Sequence, residues 1–443
     1  MEDHDPTTLR RERPEPGLVL VWSEDEAKHV PLALEGGRIE LTREKLLAVG
    51  LDDRRISRVH ALVEHDGTGW SIEDLESRNG TWLDGERIRR RVGSAQPRVL
   101  RLGRSLFAFS SDIRRPAIPL LDPSLGVVAG RPLAVCYERI IQAARYGDCV
   151  AVTGESGTGK ELAARVFHAF GPRSGGPFVA INCAAIPHAL AESLLFGTKK
   201  GAYSGSTTDT DGYLVAAHGG TLFLDEIAEL DAAIQAKLLR ALETREVLPV
   251  GASRYRSVDI RLCSATHESL RGAVGRGKFR KDLYFRIGRP EIEVPPLRDR
   301  VEDIPLLLER ARLQSGAQAR IHISFVEACL LRHWSGNVRE LLAESKRAFR
   351  EAALEDGDMI GATALDDESG TRIEGGERRD TQPPLSRSTE AKPTEDQIRA
   401  ALERAGSVAG AAKLLNIHRT QLRRWIASAG IDAAPYRREV GAV

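Results

Sequence analysis

The sequence lacks paired cysteines and any apolar run of membrane length. Its five cysteines stand singly, without a CxxC pair, which argues against a disulfide framework or a zinc site and favours reduced thiols. No apolar stretch approaches the roughly 18–20 residues that a membrane-spanning helix needs. Residues 1–16 are charged and contain proline, so we expect no secretory signal and a cytoplasmic location.

A strong charge of either sign is also missing. The 64 basic and 63 acidic residues leave a formal net charge of +1. This balance excludes a polycation, so any binding of nucleic acid requires a local basic patch. A hydrophobic content of 42% and a charged content of 29% are typical of a soluble globular protein, and 443 residues suffice for two to four domains.

The composition and the hydrophobic pattern change along the chain, which predicts a multidomain protein. Short β-rich runs such as "GLVLVW" and "GWSIEDL", separated by turns, predict an all-β sandwich over residues 17–113. Buried strands alternating with helices predict a parallel α/β domain over 121–295, followed by a helical lid over 296–360. Polar residues 361–393 predict a flexible linker, and an all-α domain is expected at 394–435.

The strongest motif is a phosphate-binding loop. "GESGTGK" fits the pattern GxxxxGK between a predicted strand and a predicted helix. Backbone amides of such a loop surround phosphate oxygens, and the lysine reaches the outer phosphates. Glu161 stands where most such loops place Ser or Thr for magnesium. The nucleotide-binding residues predicted here are Gly154, Glu155, Ser156, Gly157, Thr158, Gly159, Lys160 and Glu161.

A second motif completes the predicted nucleotide site. "TLFLDE" is an apolar strand that ends in Asp225 and Glu226, the Walker B pattern. We expect Asp225 to hold Mg²⁺ through water and Glu226 to act as the general base on the attacking water. Solvated acids at a strand end are the alternative, which the nearby phosphate loop disfavours.

Five motifs in order carry a family resemblance: "GESGTGKE", "GGTLFLDEI", "FRKDLYFRI", "PPLRDRVEDIP" and "WSGNVREL". Over residues 121–359 the chain resembles the AAA+ domain of bacterial enhancer-binding proteins, which activate sigma-54 RNA polymerase and in which Glu161 is expected. The resemblance implies that Asn182 holds Glu226 in a switch, that Thr266 with His267 forms sensor I, and that Arg339 is sensor II. It also implies a ring, a hexamer, in which Arg280 and Arg286 reach a neighbour's ATP. Solvated ion pairs are the alternative for these two arginines.

The loop that contacts sigma-54 in this family is altered here. The family's GAFTGA is matched by "GAYSGS", that is Gly201, Ala202, Tyr203, Ser204, Gly205 and Ser206. The changes keep an aromatic ring and a hydroxyl group but remove a methyl group and add polarity. Sigma-54 binding is expected to survive, because one methyl group contributes only about 1 kcal/mol. A solvated hairpin without a sigma partner is the alternative.

Residues 17–113 resemble a forkhead-associated (FHA) domain, on the strength of Arg43, "SRVH" and "DLESRNGT". Such domains bind phosphothreonine, which implies a phosphorylated protein or a Ser/Thr kinase as partner. Arg43 and Arg58 would supply charge, Ser57 a hydroxyl donor and Asn79 a contact to the peptide backbone. Thr42 replaces the family's usual Gly, and its β-branched side chain is expected to alter the approach of Arg43. A sandwich used only for protein docking is the alternative.

The carboxy-terminal region resembles a Fis-type helix-turn-helix, with a capping-box pattern at "TEDQ". In its third helix an apolar face is expected at Leu422, Trp425 and Ile426. Candidate base-reading residues are His418, Arg419, Thr420 and Gln421, and candidate phosphate contacts are Arg423 and Arg424. A basic helix that serves only oligomerisation is the alternative.

Two functional hypotheses follow. In the first, the protein is an ATP-dependent activator that binds upstream DNA and remodels sigma-54 polymerase under phosphothreonine control. In the second, the AAA+ ring is an ATP-gated assembly platform for a DNA-binding regulator that does not act on sigma-54. The loop "GAYSGS" distinguishes them.

Overall fold

The computed structural model describes residues 14–114, 130–202, 208–354, 357–372, 394–405, 411, 414–415, 422 and 425–426. Contacts divide the chain into two units, Met1–Ile373 and Glu374–Val443. Among the described residues no helix combines the length and the apolar character needed to cross a membrane.

The first unit begins with an antiparallel β-sandwich. One sheet has the strand order β2-β1-β10-β9-β6-β7 and the other β3-β4-β5-β8. The strands are β1 (Gly17–Ser23), β2 (Glu26–Ala33), β3 (Arg38–Thr42), β4 (Val59–His65), β5 (Trp70–Asp74), β6 (Thr81–Leu83), β7 (Glu86–Ile88), β8 (Val92–Ser94), β9 (Val99–Leu102) and β10 (Ser105–Ser110), with helix α1 (Arg43–Ala48) after β3. These bounds confirm the expected all-β sandwich.

The position of strand β1 between two cores explains why its sequence is almost entirely apolar. Side chains alternate across a strand, so Leu18 and Leu20 point into the core of the sandwich. Val19 and Val21 point to the opposite side and join a second core, which is shared with helices later in the chain. Both faces of β1 are therefore buried.

The α/β subdomain is built on a parallel sheet of order β12-β15-β18-β11-β19. The sheet strands are β11 (Cys149–Thr153), β12 (Phe178–Asn182), β15 (Thr221–Asp225), β18 (Arg261–Thr266) and β19 (Glu291–Glu293). Short hairpins are formed by β13 (Gly197–Thr198) with β14 (Thr210–Asp211) and by β16 (Glu246–Val247) with β17 (Arg256–Ser257). The helices are α2 (Arg131–Tyr146), α3 (Lys160–Ala169), α4 (His188–Phe196), α5 (Tyr213–Ala216), α6 (Ala232–Thr244), α7 (Leu270–Gly275) and α8 (Lys281–Ile287). The carboxyl ends of the parallel strands form one edge, where ligands of such sheets bind.

The lid contains α9 (Ile304–Ser315), α10 (Ile323–Leu331) and α11 (Asn337–Leu354), with β20 (Arg320–Ile321) paired to β21 (Met359–Ile360). The linker prediction is wrong at its start, because residues 361–372 belong to the lid. Leu365 is buried in the lid core, and Arg332 donates to the carbonyl of Asp366 at 2.6 Å. One apolar anchor and a few backbone hydrogen bonds hold this polar segment, and composition does not reveal them. Residues 373–393 lie outside the described residues.

The second unit contains α12 (Glu395–Ala405). The capping box is present, since the amide of Thr394 donates to Gln397 Oε1 at 2.9 Å and the amide of Gln397 donates to Thr394 Oγ1 at 3.4 Å. The expected apolar residues meet in one small core, which consists of Ile398, Ala401, Leu402, Ala411, Leu422 and Ile426 with Leu415 and Trp425 packed against it. The predicted helical content of this region is confirmed.

Candidate functional site

The phosphate-binding loop connects β11 to α3. Gly154, Gly157 and Gly159 have positive φ angles of 144°, 80° and 105°, a region that L side chains rarely adopt. A Cβ atom on Gly157 would lie 2.2 Å from the carbonyl oxygen of Gly336 in the lid. The glycines are therefore needed both for the shape of the loop and for close contact with the lid.

Lys160 begins α3 and lies at the centre of the loop. Its Nζ donates to the carbonyls of Gly154 at 2.8 Å and Glu155 at 3.3 Å, and it lies 3.9 Å from Glu226 Oε1. Burial lowers the pKa of Lys160, and the charge of Glu226 partly offsets that effect. An ammonium group at the start of a helix, directly after a glycine-rich loop, is suited to binding phosphate.

Asp225 ends β15 and Glu226 follows it, at the edge of the sheet beside the phosphate loop. Burial, and then the charge of Glu226, raises the pKa of Asp225. Asp225 Oδ1 accepts from the amide of Glu226 at 3.1 Å, and Glu226 has a left-handed φ of 52°. Two neighbouring carboxylates with one lysine leave a net negative charge when ionised, which favours a cation at this site.

The partner of Glu226 is His267 and not Asn182. His267 Nδ1 lies 2.7 Å from Glu226 Oε2, and the His267 amide donates to the same oxygen at 3.2 Å. Asn182 Oδ1 accepts from the amide of Ala184 at 3.0 Å, so this side chain caps a short 3-10 turn. The expected contact between Asn182 and Glu226 is absent from the described residues, although Asn182 pairs with Asp225 in the sheet. Thr266 is buried one residue before His267, at the end of β18.

The lid is joined to the phosphate loop by an ion pair and a buried amide. The two terminal guanidinium nitrogens of Arg298 donate to the carboxylate of Glu155, at 2.8 and 2.6 Å, and they lower the pKa of Glu155 to about 2. Asn337 donates to Glu155 Oε2 at 3.1 Å and to the carbonyl of Ser156 at 3.0 Å. Its Oδ1 accepts from the amide of Leu297 at 2.8 Å.

Three further hydrogen bonds continue this contact along the loop. The amide of Val338 donates to the carbonyl of Gly157 at 3.1 Å, and Arg300 donates to the carbonyl of Thr158 at 2.6 Å. Arg339 donates to Ser156 Oγ at 2.9 Å, which places the predicted sensor II residue over the loop. Glu161 faces away from this contact, since its carboxylate pairs with Arg165 on the exposed surface of α3.

The two predicted arginine fingers lie on the exposed surface around α8. Arg280 pairs with Asp282 at 2.7 Å, and Arg286 donates to the carbonyl of Leu242 at 3.3 Å. Phe285 is 58% exposed between them. The contacts of the two arginines are with this surface and not with the chain's own phosphate loop.

Sequence models of three families match the chain in order. The FHA domain matches residues 43–106, the sigma-54 interaction domain 128–293, and the Fis family of bacterial regulatory proteins 395–427. The structure of NtrX from Brucella abortus is 30% identical, with a TM-score of 0.51, and the match covers 69% of each chain. The chain belongs to the bacterial enhancer-binding proteins, the sigma-54-dependent activators. NtrX has also been solved in complex with ADP and with ATP.

Curated relatives agree with this family. The Nif-specific regulatory protein of Herbaspirillum seropedicae is 43% identical over 245 residues, which cover 54% of this chain and 44% of the relative. The hydrogenase regulator HoxA of Cupriavidus necator is 39% identical over 324 residues, which cover 72% of this chain and 62% of the relative. The chain thus spans about half to three fifths of the length of these relatives.

The loop that enhancer-binding proteins direct at sigma-54 is described only at its base. Strands β13 and β14 form a short stem, in which Thr198 Oγ1 lies 2.5 Å from Thr210 Oγ1. The Lys200 amide donates to Asp209 at 2.9 Å. Gly201 and Ala202 are described, whereas Tyr203, Ser204, Gly205 and Ser206 lie outside the described residues.

In the FHA domain, the predicted phosphopeptide residues are brought together at one end of the sandwich. Arg43 Nε donates to the carbonyl of Ile56 at 2.7 Å, and Asn79 donates to the carbonyl of Arg55 at 2.6 Å. Ser57 Oγ accepts from the amide of Arg78 at 3.0 Å. Arg58 follows on the same loop and precedes β4. The site loops are thus linked to one another through residues 54–58.

Two neighbours shape these loops. His60 is fully buried, accepts from the amide of Ser57 at 3.0 Å and lies 3.2 Å from the carbonyl of Gly80. Thr42 has an extended backbone (φ −112°, ψ 154°), and its hydroxyl accepts from the amide of Lys45 at 3.1 Å. Thr42 is therefore the N-cap of α1. A β-branched residue fits this backbone, so the structure gives no reason for an altered approach of Arg43.

The predicted DNA-contacting residues lie outside the described residues: His418, Arg419, Thr420, Gln421, Arg423 and Arg424. The sequence did not identify His267 as the direct partner of Glu226, nor Arg298 and Asn337 as residues that bind the phosphate loop. Arg298 and Asn337 do fall within the motifs "PPLRDRVEDIP" and "WSGNVREL", and that membership was the available signal.

Proposed function

We propose that the protein is an ATP-driven transcriptional activator of sigma-54 RNA polymerase that is controlled by phosphothreonine recognition. The observation that carries the proposal is that the predicted nucleotide-site residues Lys160, Asp225 and Glu226 lie together at one sheet edge, under a lid that carries Arg339. The match to the sigma-54 interaction domain supports sigma-54 as the partner of the ATPase. The FHA match supports recognition of a phosphorylated protein, and the Fis-family match supports DNA binding.

At this site the phosphate loop would bind the phosphates of ATP through its backbone amides and Lys160. Glu226 would accept a proton from the attacking water as general base, oriented by His267. The donor chemistry also fits magnesium. Asp225 is a half-buried carboxylate beside a second carboxylate, so it would hold a nucleotide-bound Mg²⁺ through water, and the ion would neutralise phosphate charge.

Hydrolysis would depend on assembly into a ring, with a hexamer as the expected form. Arg280 and Arg286 contact none of the chain's own phosphate-loop residues, and Phe285 exposes an apolar ring beside them. This surface would dock against a neighbouring subunit and place both guanidinium groups beside its ATP. Hydrolysis would then move the loop at residues 201–206 against sigma-54.

The FHA domain would read a phosphothreonine on a partner protein or kinase through Arg43, Ser57, Arg58 and Asn79. The prediction is that Arg43→Ala abolishes binding of a phosphothreonine peptide in titration calorimetry; unchanged affinity would refute this role. Arg91→Ala is the matched control, because Arg91 pairs with Glu64 and Ser71 on another part of the sandwich.

The third helix of the Fis-type domain would enter the major groove of upstream DNA. His418, Arg419, Thr420 and Gln421 would contact base edges, and Arg423 and Arg424 would contact phosphates. Binding through phosphate contacts would weaken as salt rises.

Transcription in vitro from a sigma-54 promoter tests the proposal as a whole. Open complexes are expected with ATP and not with a non-hydrolysable analogue, and Lys160→Ala should abolish them. ATP turnover without any sigma-54 transcription would instead support the assembly platform. Restoring the family loop, Tyr203→Phe with Ser204→Thr and Ser206→Ala, would show whether "GAYSGS" is the cause.

A further inference from the structure

The outer face of the first FHA sheet is buried against the lid of the ATPase. Val19, Val21, Val99, Leu106 and Ala108 belong to the same hydrophobic cluster as the lid. The lid contributes residues of α9 and α10 to this cluster, among them Leu307, Leu308, Phe325, Val326, Cys329 and Leu330. A large apolar interface argues against free movement of the two domains, because domains that move relative to each other usually share smaller and more polar interfaces.

Two arginines of the FHA domain form the polar border of this contact. Arg98 NH1 donates to the carbonyl of Leu331 at 3.0 Å, and its NH2 donates to the carbonyl of Arg332 at 3.1 Å. Leu331 is the last residue of α10 and Arg332 is its C-cap, and the last carbonyls of a helix have no partner within it. The positively charged guanidinium group therefore caps the C-terminus of α10, where a cation is favoured. Arg101 pairs with Glu327 of α10 at 2.9 Å, with both side chains largely buried.

The capped end of α10 leads directly to the phosphate loop. Trp334 is fully buried, and its indole nitrogen donates to the carbonyl of Cys329 at 2.7 Å, so the chain after α10 is fixed to the helix. Three residues later, Asn337 binds the carbonyl of Ser156 and the carboxylate of Glu155. A displacement of α10 therefore displaces residues that hold the phosphate loop.

The same FHA strands are also connected to the phosphopeptide loops. Asp53 Oδ2 accepts from the amide of Arg104, in the turn after β9, at 2.6 Å, and from the hydroxyl of Ser105, the first residue of β10, at 3.2 Å. Asp53 Oδ1 accepts from the amide of Arg55, whose carbonyl accepts from Asn79. Hydrogen bonds thus join the loop beside Arg43 to the strands that pack on the lid.

We propose that the FHA domain is a fixed extension of the lid, and that Arg98 is a positioning residue through which it sets the geometry of the phosphate loop. The outer face of the first FHA sheet then packs against the lid of the same chain, and not against a second protein. The effect on turnover rests on the proposed ATPase function, whereas the contact itself and its effect on nucleotide affinity do not.

Hydrogen–deuterium exchange on the unmodified full chain tests the contact first. Addition of ATPγS is expected to slow exchange both at residues 323–339 of the lid and at residues 98–108 of the FHA domain. Slower exchange in the lid with no change at 98–108 would overturn the proposal, because the two would then move independently.

Variants of Arg98 test the positioning role. Arg98→Ala should weaken ADP binding in calorimetry and raise KM for ATP by about fivefold, the low end of typical coupling between sites, with little change in kcat. It should also abolish the response of residues 98–108 to ATPγS. Arg98→Lys, which keeps the charge but loses the two-pronged donor, should recover only part of the affinity.

Arg91→Ala is the matched control, an FHA arginine outside the lid contact, and should behave as the wild type. If ADP affinity and KM for ATP change equally in Arg98→Ala and Arg91→Ala, or change in neither, the positioning role of Arg98 is overturned. If Arg98→Ala fails to fold, the exchange experiment on the unmodified chain still decides the contact. Absence of ATP turnover in the wild type would contradict the proposed function alone, since ADP affinity and exchange are measured without it.

Discussion

The carboxylate of Glu226 is held by His267, with Nδ1 2.7 Å and the backbone amide 3.2 Å from the same oxygen. The two residues directly follow neighbouring strands, β15 and β18, that are parallel and paired. Glu226 also has a left-handed backbone, which costs a non-glycine residue of order 1–3 kcal/mol and is commonly found at functional sites. The proposed general base is thus oriented by its own backbone conformation and by the ring and the backbone amide of His267.

Replacement of His267 tests this arrangement. His267→Ala should lower kcat for ATP hydrolysis by about tenfold with little change in KM, because the base loses its orienting donor while nucleotide contacts remain. His267→Asn, whose side-chain amide can also donate, should recover most of the rate. Steady-state ATPase kinetics measure both. A rise in KM with unchanged kcat would contradict the role.

Asn337 should be important for stability as well as for the site. Asn337→Ala leaves the amide of Leu297 and the carbonyl of Ser156 without partners, which should lower the stability of the first unit by about 2–4 kcal/mol. Asn337 has a left-handed φ of 53°, which strains alanine but not glycine. Asn337→Gly should therefore be about 1 kcal/mol more stable than Asn337→Ala. Thermal unfolding of both variants checks the order; equal losses would show that the backbone is not strained.

Local features of this fold could be predicted from the sequence because they depend on neighbouring residues. The β11–P-loop–α3 unit, the Asp225–Glu226 strand end and the capping box at Thr394 are each specified by one continuous run of neighbouring residues. The phosphate loop needs its glycines at fixed positions, so its pattern persists in the sequence. The same applies to the periodicity of α6 and of the strands in the sandwich.

Contacts between distant segments could not be predicted in this way. Glu155 and Arg298 are 143 residues apart, and Arg98 and Leu331 are 233 residues apart. Leu365 binds the lid core from a segment whose composition is that of a linker. The continuous apolar run of β1 was the one signal that the sandwich had a second buried face, but it does not identify the lid as the partner.

Thr42 provides a test confined to the FHA domain. Thr42→Ala removes the N-cap of α1 and should destabilise this domain by about 1 kcal/mol, whereas Thr42→Gly, which restores the family's residue, should cost only a few tenths. Neither change removes the contact of Arg43 with Ile56, so phosphothreonine-peptide affinity should stay within about twofold of the wild type. Thermal unfolding and titration calorimetry measure the two effects. A large loss of affinity in Thr42→Gly would show that the hydroxyl group serves the ligand.

Glu302 makes stability depend on pH at the junction of the FHA and AAA+ domains. It is 4% exposed, its side chain bonds to Ser110 at the end of β10, and a Cβ on Gly130 would lie 3.1 Å from its Oε2. Burial raises its pKa from 4.5 to about 7. Between these values the folded protein keeps a proton that the unfolded chain has released, so stability falls as pH rises through that window.

Glu302→Gln removes the ionisation and keeps the shape. It should raise the free energy of unfolding by roughly 1–3 kcal/mol at pH 8, where the buried charge is fully developed, and by little at pH 5, where Glu302 is protonated in the folded state. Melting temperatures at pH 5, 6.5 and 8 check the trend. The matched control is Glu86→Gln, an exposed glutamate of β7, which should show no such dependence. A gain for Glu302→Gln that is the same at pH 5 and pH 8 would mean that Glu302 stays ionised in the folded protein, and that its hydrogen bonds, rather than its burial, control the pKa.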